Sequence, residues 1–401
     1  MSVFKRSRGL WLLAMVVGPG FAVLLLGQSI PRYRVDPFWP KELPSNWMLG
    51  SIDHLFLDQD DHVWVFHQPG LLQRDQAGLA QDPPLSECCV PAPTIIEFDS
   101  DGNVLKSWRG PTAAPHWPAG AGPIGIDSNK NIWMTASGRR PGIHVPRPEA
   151  KNRPYGGGDL LQFSLAGDLL LEIGRNPRDS GASNNQDTGM FGVPTGVQVD
   201  ERAHEVYVAD GYTNRRIVVY DSVTGAFKRG WGAYGMPLSQ IENVDYEDNP
   251  EIVRPINLGQ DYNPDAPPPK QFRGAMIVRL SNDGLVYVGD EENDRIQVFT
   301  TQGKFVKEFF VAPRTLDEGS VMDVALSRDP KQKFLIIADG SNNVVWVLNR
   351  NDGSVVTKFG GRGHNVGQFS YLHAVDTDSH GNIYTGEVKY NYRIQKFALE
   401  K

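Results

Sequence analysis

The chain has 401 residues, with 40 lysines and arginines against 47 aspartates and glutamates and a formal net charge of −7. That balance excludes a domain that grips nucleic acid, which shows a basic face or a high pI. Forty per cent hydrophobic residues allow a sizeable core, and the 42 glycines and 29 prolines, set beside 10% aromatics, mark many turns rather than disorder.

Lys5, Arg6 and Arg8 precede an apolar run from Leu10 to Leu26. A basic stretch before an apolar one is the layout of an export signal. The run sits at the short edge of a membrane span, and Gly18-Pro19-Gly20 would kink a helix in its middle. Residues 1–30 are therefore read as a removed signal peptide or an uncleaved membrane anchor. Both readings place the remainder outside the cytoplasm, periplasmic or extracellular, with the basic flank inside. The expected partners are the membrane, through this segment, and an envelope protein. Residues 31–49 are a linker, and Arg32 to Phe38 is a candidate ring-closing strand.

From residue 50 to 401 one unit recurs: a short apolar strand, an acidic or polar turn, then a second strand. The first copy runs from Leu55-Phe56-Leu57-Asp58 into Val63-Trp64-Val65. Ile124-Gly125-Ile126-Asp127 then leads into Ile132-Trp133-Met134, and Gly196-Val197-Gln198-Val199-Asp200 into Val206-Tyr207-Val208. Met276 to Leu280 passes Asn282-Asp283-Gly284 into Val286-Tyr287-Val288. The last copies run from Val324-Ala325-Leu326 to Leu335-Ile336-Ile337, and from Ala374-Val375-Asp376 to Ile383-Tyr384-Thr385. Third and fourth strands follow, as in Arg216 to Tyr220 and Gly225 to Lys228. Asp-Gly and Thr-Gly turns are hairpin signals. Four strands per unit, six times over, predict an all-β, six-bladed propeller whose sheets bury both faces only when the ring closes.

Strands a to d of each blade run from the axis outward, so the a–b and c–d turns share one face. The long insertions, 67–93, 137–158, 174–191 and 233–271, all fall in b–c loops or inter-blade links, on the other face. Loops gathered on one side of a rigid scaffold are where binding usually sits. Two of them differ in charge. Arg139, Arg140, Arg147, Lys151 and Arg153 stand against Glu149 in one, and Glu242, Asp245, Glu247, Asp248, Glu251, Asp261 and Asp265 against Arg254 and Lys270 in the other. They can pair with each other, meet a partner or stay solvated.

On that face strand b ends in His67, Ala136, Asp210, Asp290, Asp339 and Glu387 in turn. A ring of carboxylates suits Ca2+; the same acids can instead cap the next turn. The expected ligand- or partner-binding residues are His67, Gln68, Asp290, Asp339, Glu387 and Arg216, with Tyr212 and Asp210 as candidates for catalysis. On inner strands, His54, Met276 and His373 are candidates to face the axis. Histidines are Zn2+ ligands, although two histidines and a methionine make an incomplete set. Adjacent Cys88 and Cys89 suit a disulfide that stiffens their loop, a soft-metal site or free thiols.

The units resemble NHL repeats. Val193 to Gly232, centred on Val208-Ala209-Asp210-Gly211-Tyr212-Thr213-Asn214-Arg215-Arg216-Ile217-Val218, resembles the lyase domain of peptidylglycine α-amidating enzymes. The chain is also similar to exported bacterial propellers that carry Cys-Cys-Val-Pro-Ala-Pro, here Cys88 to Pro93. In the lyase family a zinc sits in the axial channel on three histidines, with a tyrosine and an arginine near the substrate. The resemblance implies Tyr212 for the tyrosine and His373 for one ligand. The other ligand positions fall near Gly122-Pro123 and on Met276, and the arginine position near Gln68. The fold carries over and the zinc set does not, with His54 and His67 as the histidines that could rebuild one. The expected function is binding through the looped face; the alternative is a metal-dependent lyase or hydrolase.

Overall fold

Short apolar strands, broken by glycine and asparagine turns, pair mostly with the strands next to them in sequence here. The computed structural model describes residues 30–68, 78, 83, 85–109, 121–136, 159–174, 184–212, 214–243, 267–274, 276–315 and 318–400. They form six four-stranded antiparallel sheets, an all-β six-bladed propeller whose helices are single 3-10 turns. Blade 1 is Ser51–Leu57, Val63–Gln68, Ile95–Phe98 and Val104–Trp108; blade 2 is Ala121–Ile126, Ile132–Ala136, Leu160–Phe163 and Leu169–Ile173. Blade 3 is Val193–Asp200, Glu205–Gly211, Arg216–Asp221 and Phe227–Trp231; blade 4 is Met276–Leu280, Leu285–Asp290, Arg295–Thr300 and Phe305–Phe310. Blade 5 is Asp323–Leu326, Phe334–Asp339, Val344–Asn349 and Val355–Gly360.

Blade 6 takes Leu372–Thr377, Ile383–Glu387 and Ile394–Leu399 from the end of the chain and its outer strand, Tyr33–Asp36, from near the beginning. Tyr33 pairs with Leu399 and Asp36 with Lys396. Tyr33 also packs on Phe359 of blade 5, ring centroids 5.1 Å apart. Deleting residues 31–36 strips this cover and leaves Ile394–Leu399 an open edge, a template for pairing between molecules. A lower melting temperature and self-association on size exclusion are the expected results.

The core lies between blades, because a sheet has two faces to bury. Six apolar clusters fill the six junctions. Tyr207, Ala209 and Ile217 of blade 3, for example, meet Met276, Val278 and Val286 of blade 4. Leu55, Val65 and Ile96 of blade 1 meet Ala374, Tyr384 and Ile394 of blade 6, which closes the ring.

One departure from regular pairing positions the site. Register shifts in strand a fall between Ile52 and His54, Pro123 and Gly125, Pro194 and Gly196, and Leu372 and Ala374. The extra residues of these bulges are Asp53, Ile124, Thr195 and His373. A bulge kinks its strand and re-aims the extra side chain. No helix among the described residues is long and apolar enough to cross a membrane. Residues 1–29, where the signal or anchor reading falls, and most of the charged stretches 137–158 and 233–271 lie outside the described residues.

Candidate functional site

The residues that end strand b turn out to be blade clamps. In blade 3, Asp210 accepts hydrogen bonds from Arg216 Nε (2.9 Å), Asn214 Nδ2 (2.7 Å) and the Gly192 amide (2.7 Å). Arg216 directs its remaining N–H groups to the carbonyls of Asn185, Asp187 and Met190. Blade 4 repeats this with Asp290, Arg295, Asn293 and the Arg273 amide. Blade 6 repeats it with Glu387, Arg393, Asn391 and the Ser370 amide. In blade 5, Asp339 receives Trp346 Nε1 and Asn342 instead. Burial pushes the Asp210 and Asp290 carboxyls up, and Arg216 and Arg295 pull them back.

His67 takes the acid's place in blade 1. The Gly50 amide donates to its Nδ1 (3.1 Å), and its Nε2–H donates to the Pro93 carbonyl (2.7 Å). An amide meets only a lone pair and a carbonyl only an N–H, so this geometry fixes the neutral Nε2–H tautomer. Asp210, Asp290, Glu387, Arg216 and His67 thus hold blades 3, 4, 6 and 1 to the links that enter them, while Asp339 ties the b–c turn of blade 5 to its own strands. They do not present a ring of open carboxylates to calcium or a ligand, because their polar atoms are engaged inside the fold. Tyr212 follows strand b of blade 3, half-buried, with a left-handed backbone (φ 53°) and its amide bonded to the Gly274 carbonyl (2.9 Å).

A different group gathers where strand a begins and strand b ends, at the mouth of the axis on the looped face. Asp53 accepts bonds from Ser51 Oγ (3.0 Å) and from Gln68 Nε2. His373 Nδ1 lies 2.9 Å from the Asp53 carbonyl oxygen. A carbonyl only accepts, so Nδ1 carries a proton. The His54 ring stands edge-on to that of His373, centroids 6.4 Å apart. Burial, with His373 and Arg279 adding to it, holds His54 down to about 3, so this imidazole stays neutral. Burial pushes the Asp53 carboxyl up, against His373, Gln68 and Ser51.

Below the mouth, polar side chains satisfy inner-edge backbone groups of blades 1, 4 and 6. Thr195 Oγ1 donates to the Met276 carbonyl (2.7 Å) and accepts its amide (3.1 Å). Arg279 Nη2 bonds Asp323 Oδ1 (2.7 Å), and its guanidinium lies 5.5 Å from the centre of the Phe56 ring. Asp323 Oδ2 accepts the Val375 amide (3.0 Å), and Asp376 Oδ2 the Leu57 amide (2.7 Å). Inner strands are sheet edges with unpaired backbone groups, and the bonds from Thr195, Asp323 and Asp376 to the next blade cover some of them. Asp53, Thr195, Arg279 and Asp323 escape the sequence reading. Asp53 and Thr195 sit on bulges, and the partners of Arg279 and Asp323 come from other blades.

The residues do not fit the implied zinc. His373 is present, but its bulge counterparts are Asp53, Ile124 and Thr195, and Met276 is buried in the core. Among the described residues, the metal-capable group of three lies elsewhere, at Asp58, His62 and Glu97 in blade 1. There the Lys130 ammonium sits 2.9 Å from Asp58 Oδ2 and 3.4 Å from Glu97 Oε1, in the place a cation would take. Cys88 and Cys89 are joined by a disulfide.

No family model matches the chain. Peptidyl-glycine alpha-amidating monooxygenase B of Xenopus laevis is 26% identical over 398 residues, which cover 94% of this chain and 37% of that protein. The Mus musculus monooxygenase is 25% identical over 379 residues, 89% of this chain and 31% of its own length. A probable peptidyl-alpha-hydroxyglycine alpha-amidating lyase of Caenorhabditis elegans is 23% identical over 257 residues, 63% of this chain and 56% of its own. The chain therefore spans well under half of the first two relatives. Among solved structures, a streptogramin B lyase superposes with a TM-score of 0.48 at 13% identity, covering 92% of this chain and 98% of that one. Virginiamycin B lyase from Staphylococcus aureus gives 0.46 at 13% identity, covering 92% and 90%.

Proposed function

We propose that this chain, a six-bladed propeller homologous at low identity to the peptidylglycine α-amidating enzymes, is exported and binds a small polar ligand at the looped-face mouth. The observation that carries this is the convergence of Asp53, His54, Gln68 and His373 on one end of the axis, two of them on strand bulges. A carboxyl that burial holds up, a carboxamide and two imidazoles offer both donors and acceptors, which suits a polar ligand. The disulfide supports export, since such bonds persist in oxidising compartments. The basic and apolar start of the chain supports it too. Anchoring by that start and an envelope partner on the looped face belong to the same reading.

Lyase chemistry at the same mouth is the second reading, favoured by the likeness to a probable amidating lyase and by the place of His373 at this mouth. One experiment separates the two. The full chain, purified without chelator, is analysed for metal and titrated with a peptide ending in α-hydroxyglycine. Binding heat without glyoxylate release is the expected result, and Asp53→Asn or His373→Ala weakens binding about tenfold, the worth of one hydrogen bond. Stoichiometric zinc that His373→Ala removes, together with release of glyoxylate and the peptide amide, replaces the binding reading with the lyase. A folded chain that gives neither heat nor product removes both.

A further inference from the structure

Beside the mouth, on the same face, lies a cleft of about 530 Å³ between blades 1 and 6. One wall is the segment before blade 1. Trp47 and Met48 pair in parallel with Val90 and Pro91, and the Ala92 amide donates to the Met48 carbonyl (3.0 Å). This stitches the Cys88–Cys89 disulfide into the wall next to Trp47. The opposite wall is the b–c turn of blade 6, which carries Tyr390 and Tyr392. Glu387 holds that turn through Asn391 Nδ2 (2.7 Å) and Arg393 Nε (2.5 Å).

Two features mark the walls of this cleft. Tyr390 is 63% exposed although aromatic. Ser45, Asn46, Tyr390 and Tyr392, two on each side, all have left-handed backbones, with φ of 55°, 52°, 64° and 47°. Strain of this kind in residues other than glycine gathers at ligand clamps. The chemistry of the lining is mixed. Trp47, the two tyrosines and the disulfide are flat or polarisable apolar surfaces, and Glu42 and Asn46 stand exposed at the rim.

We propose that this cleft is a saccharide-binding site. A sugar ring presents an apolar face of C–H groups and an edge of hydroxyls. The first matches aromatic rings, and the second matches a carboxylate and a carboxamide, each with oxygen acceptors at the rim. The volume suits a ligand of one or two rings. A purely apolar occupant would leave Glu42 and Asn46 without a role, and a strong anion would meet the Glu42 charge.

The test is saturation-transfer NMR on the full chain with maltose, cellobiose and diacetylchitobiose as probes, followed by titration of any that bind. Transfer to the C–H protons of at least one disaccharide is expected. Tyr390→Gly should weaken that binding about tenfold, which corresponds to about 1.4 kcal/mol. The same change should not lower the melting temperature, because glycine takes a φ of 64° without strain. A structural role for Tyr390 predicts the reverse, a lower melting temperature with binding unchanged, and that result overturns the proposal. A folded chain that shows no transfer to any of the three also overturns it, as does binding of an aromatic peptide without binding of sugar.

Discussion

Replacing Arg216 with methionine should lower the stability of the propeller by about 3–5 kcal/mol, the cost of leaving a buried charge without its partner. Arg216 and Asp210 are both fully buried. Burial already pushes the Asp210 carboxyl up, and the adjacent guanidinium is the largest influence opposing it. Methionine fills much of the same volume, so the loss is electrostatic and hydrogen-bonded rather than a cavity. It also releases the carbonyls of Asn185, Asp187 and Met190, which Arg216 gathers from the link into blade 3. The sister clamps give an internal scale. Arg295→Met should cost as much, because that side chain is equally buried. Arg393→Met should cost less, because 23% of its side chain is exposed and water can replace part of what is lost. Adding Asp210→Leu to Arg216→Met should recover part of the loss by removing the orphaned charge, though the Gly192 amide then lacks its acceptor. Urea midpoints of the four variants measure the order. An Arg216→Met protein that unfolds at the parent's midpoint contradicts the clamp.

The spacing of these clamps stands in the sequence. Asp210, Asn214 and Arg216 recur as Glu387, Asn391 and Arg393, and, one residue shorter, as Asp290, Asn293 and Arg295. Reading the acids without the arginines that follow them makes a ring of open carboxylates out of paired charges. Blade existence is legible because a period of two and glycine turns are local signals. The bulges are not. Whether Asp53 or His54 turns toward the axis depends on where strand a slips by one residue against strand b, and no feature of Ile52-Asp53-His54 alone decides that. Likewise Arg279 meets Asp323 only because blades 4 and 5 are adjacent, across 44 residues of chain. His67 reads as a ligand candidate from its residue type, yet its two backbone partners lie 17 residues before it and 26 after it.

That pairing makes His67 the source of an acid sensitivity. Its folded imidazole is pushed down to about 4, first by burial, with Arg109 adding to the effect and the Pro93 bond opposing it. The unfolded imidazole titrates near 6.5. Above that pH both states are neutral and the contribution to stability is fully present. Below it the unfolded chain takes up a proton that the folded site refuses, since protonating Nδ1 would break the bond from the Gly50 amide. Stability therefore falls between pH 6.5 and about 4, by about 3 kcal/mol over the full interval. His54, held down to about 3, adds to the loss in the same direction and extends it to lower pH. Carboxylates with lowered values, such as Glu205 at about 2, lose their contribution mainly below this window. His67→Gln isolates the histidine, because a carboxamide can accept from Gly50 and donate to Pro93 without titrating. The difference in urea stability between parent and variant should be small at pH 7.5. By pH 4.5 it should move by about 2–3 kcal/mol in the variant's favour. Curves that stay parallel over that range would mean that His67 is protonated in the folded state, and that the tautomer assigned from its two backbone partners is wrong.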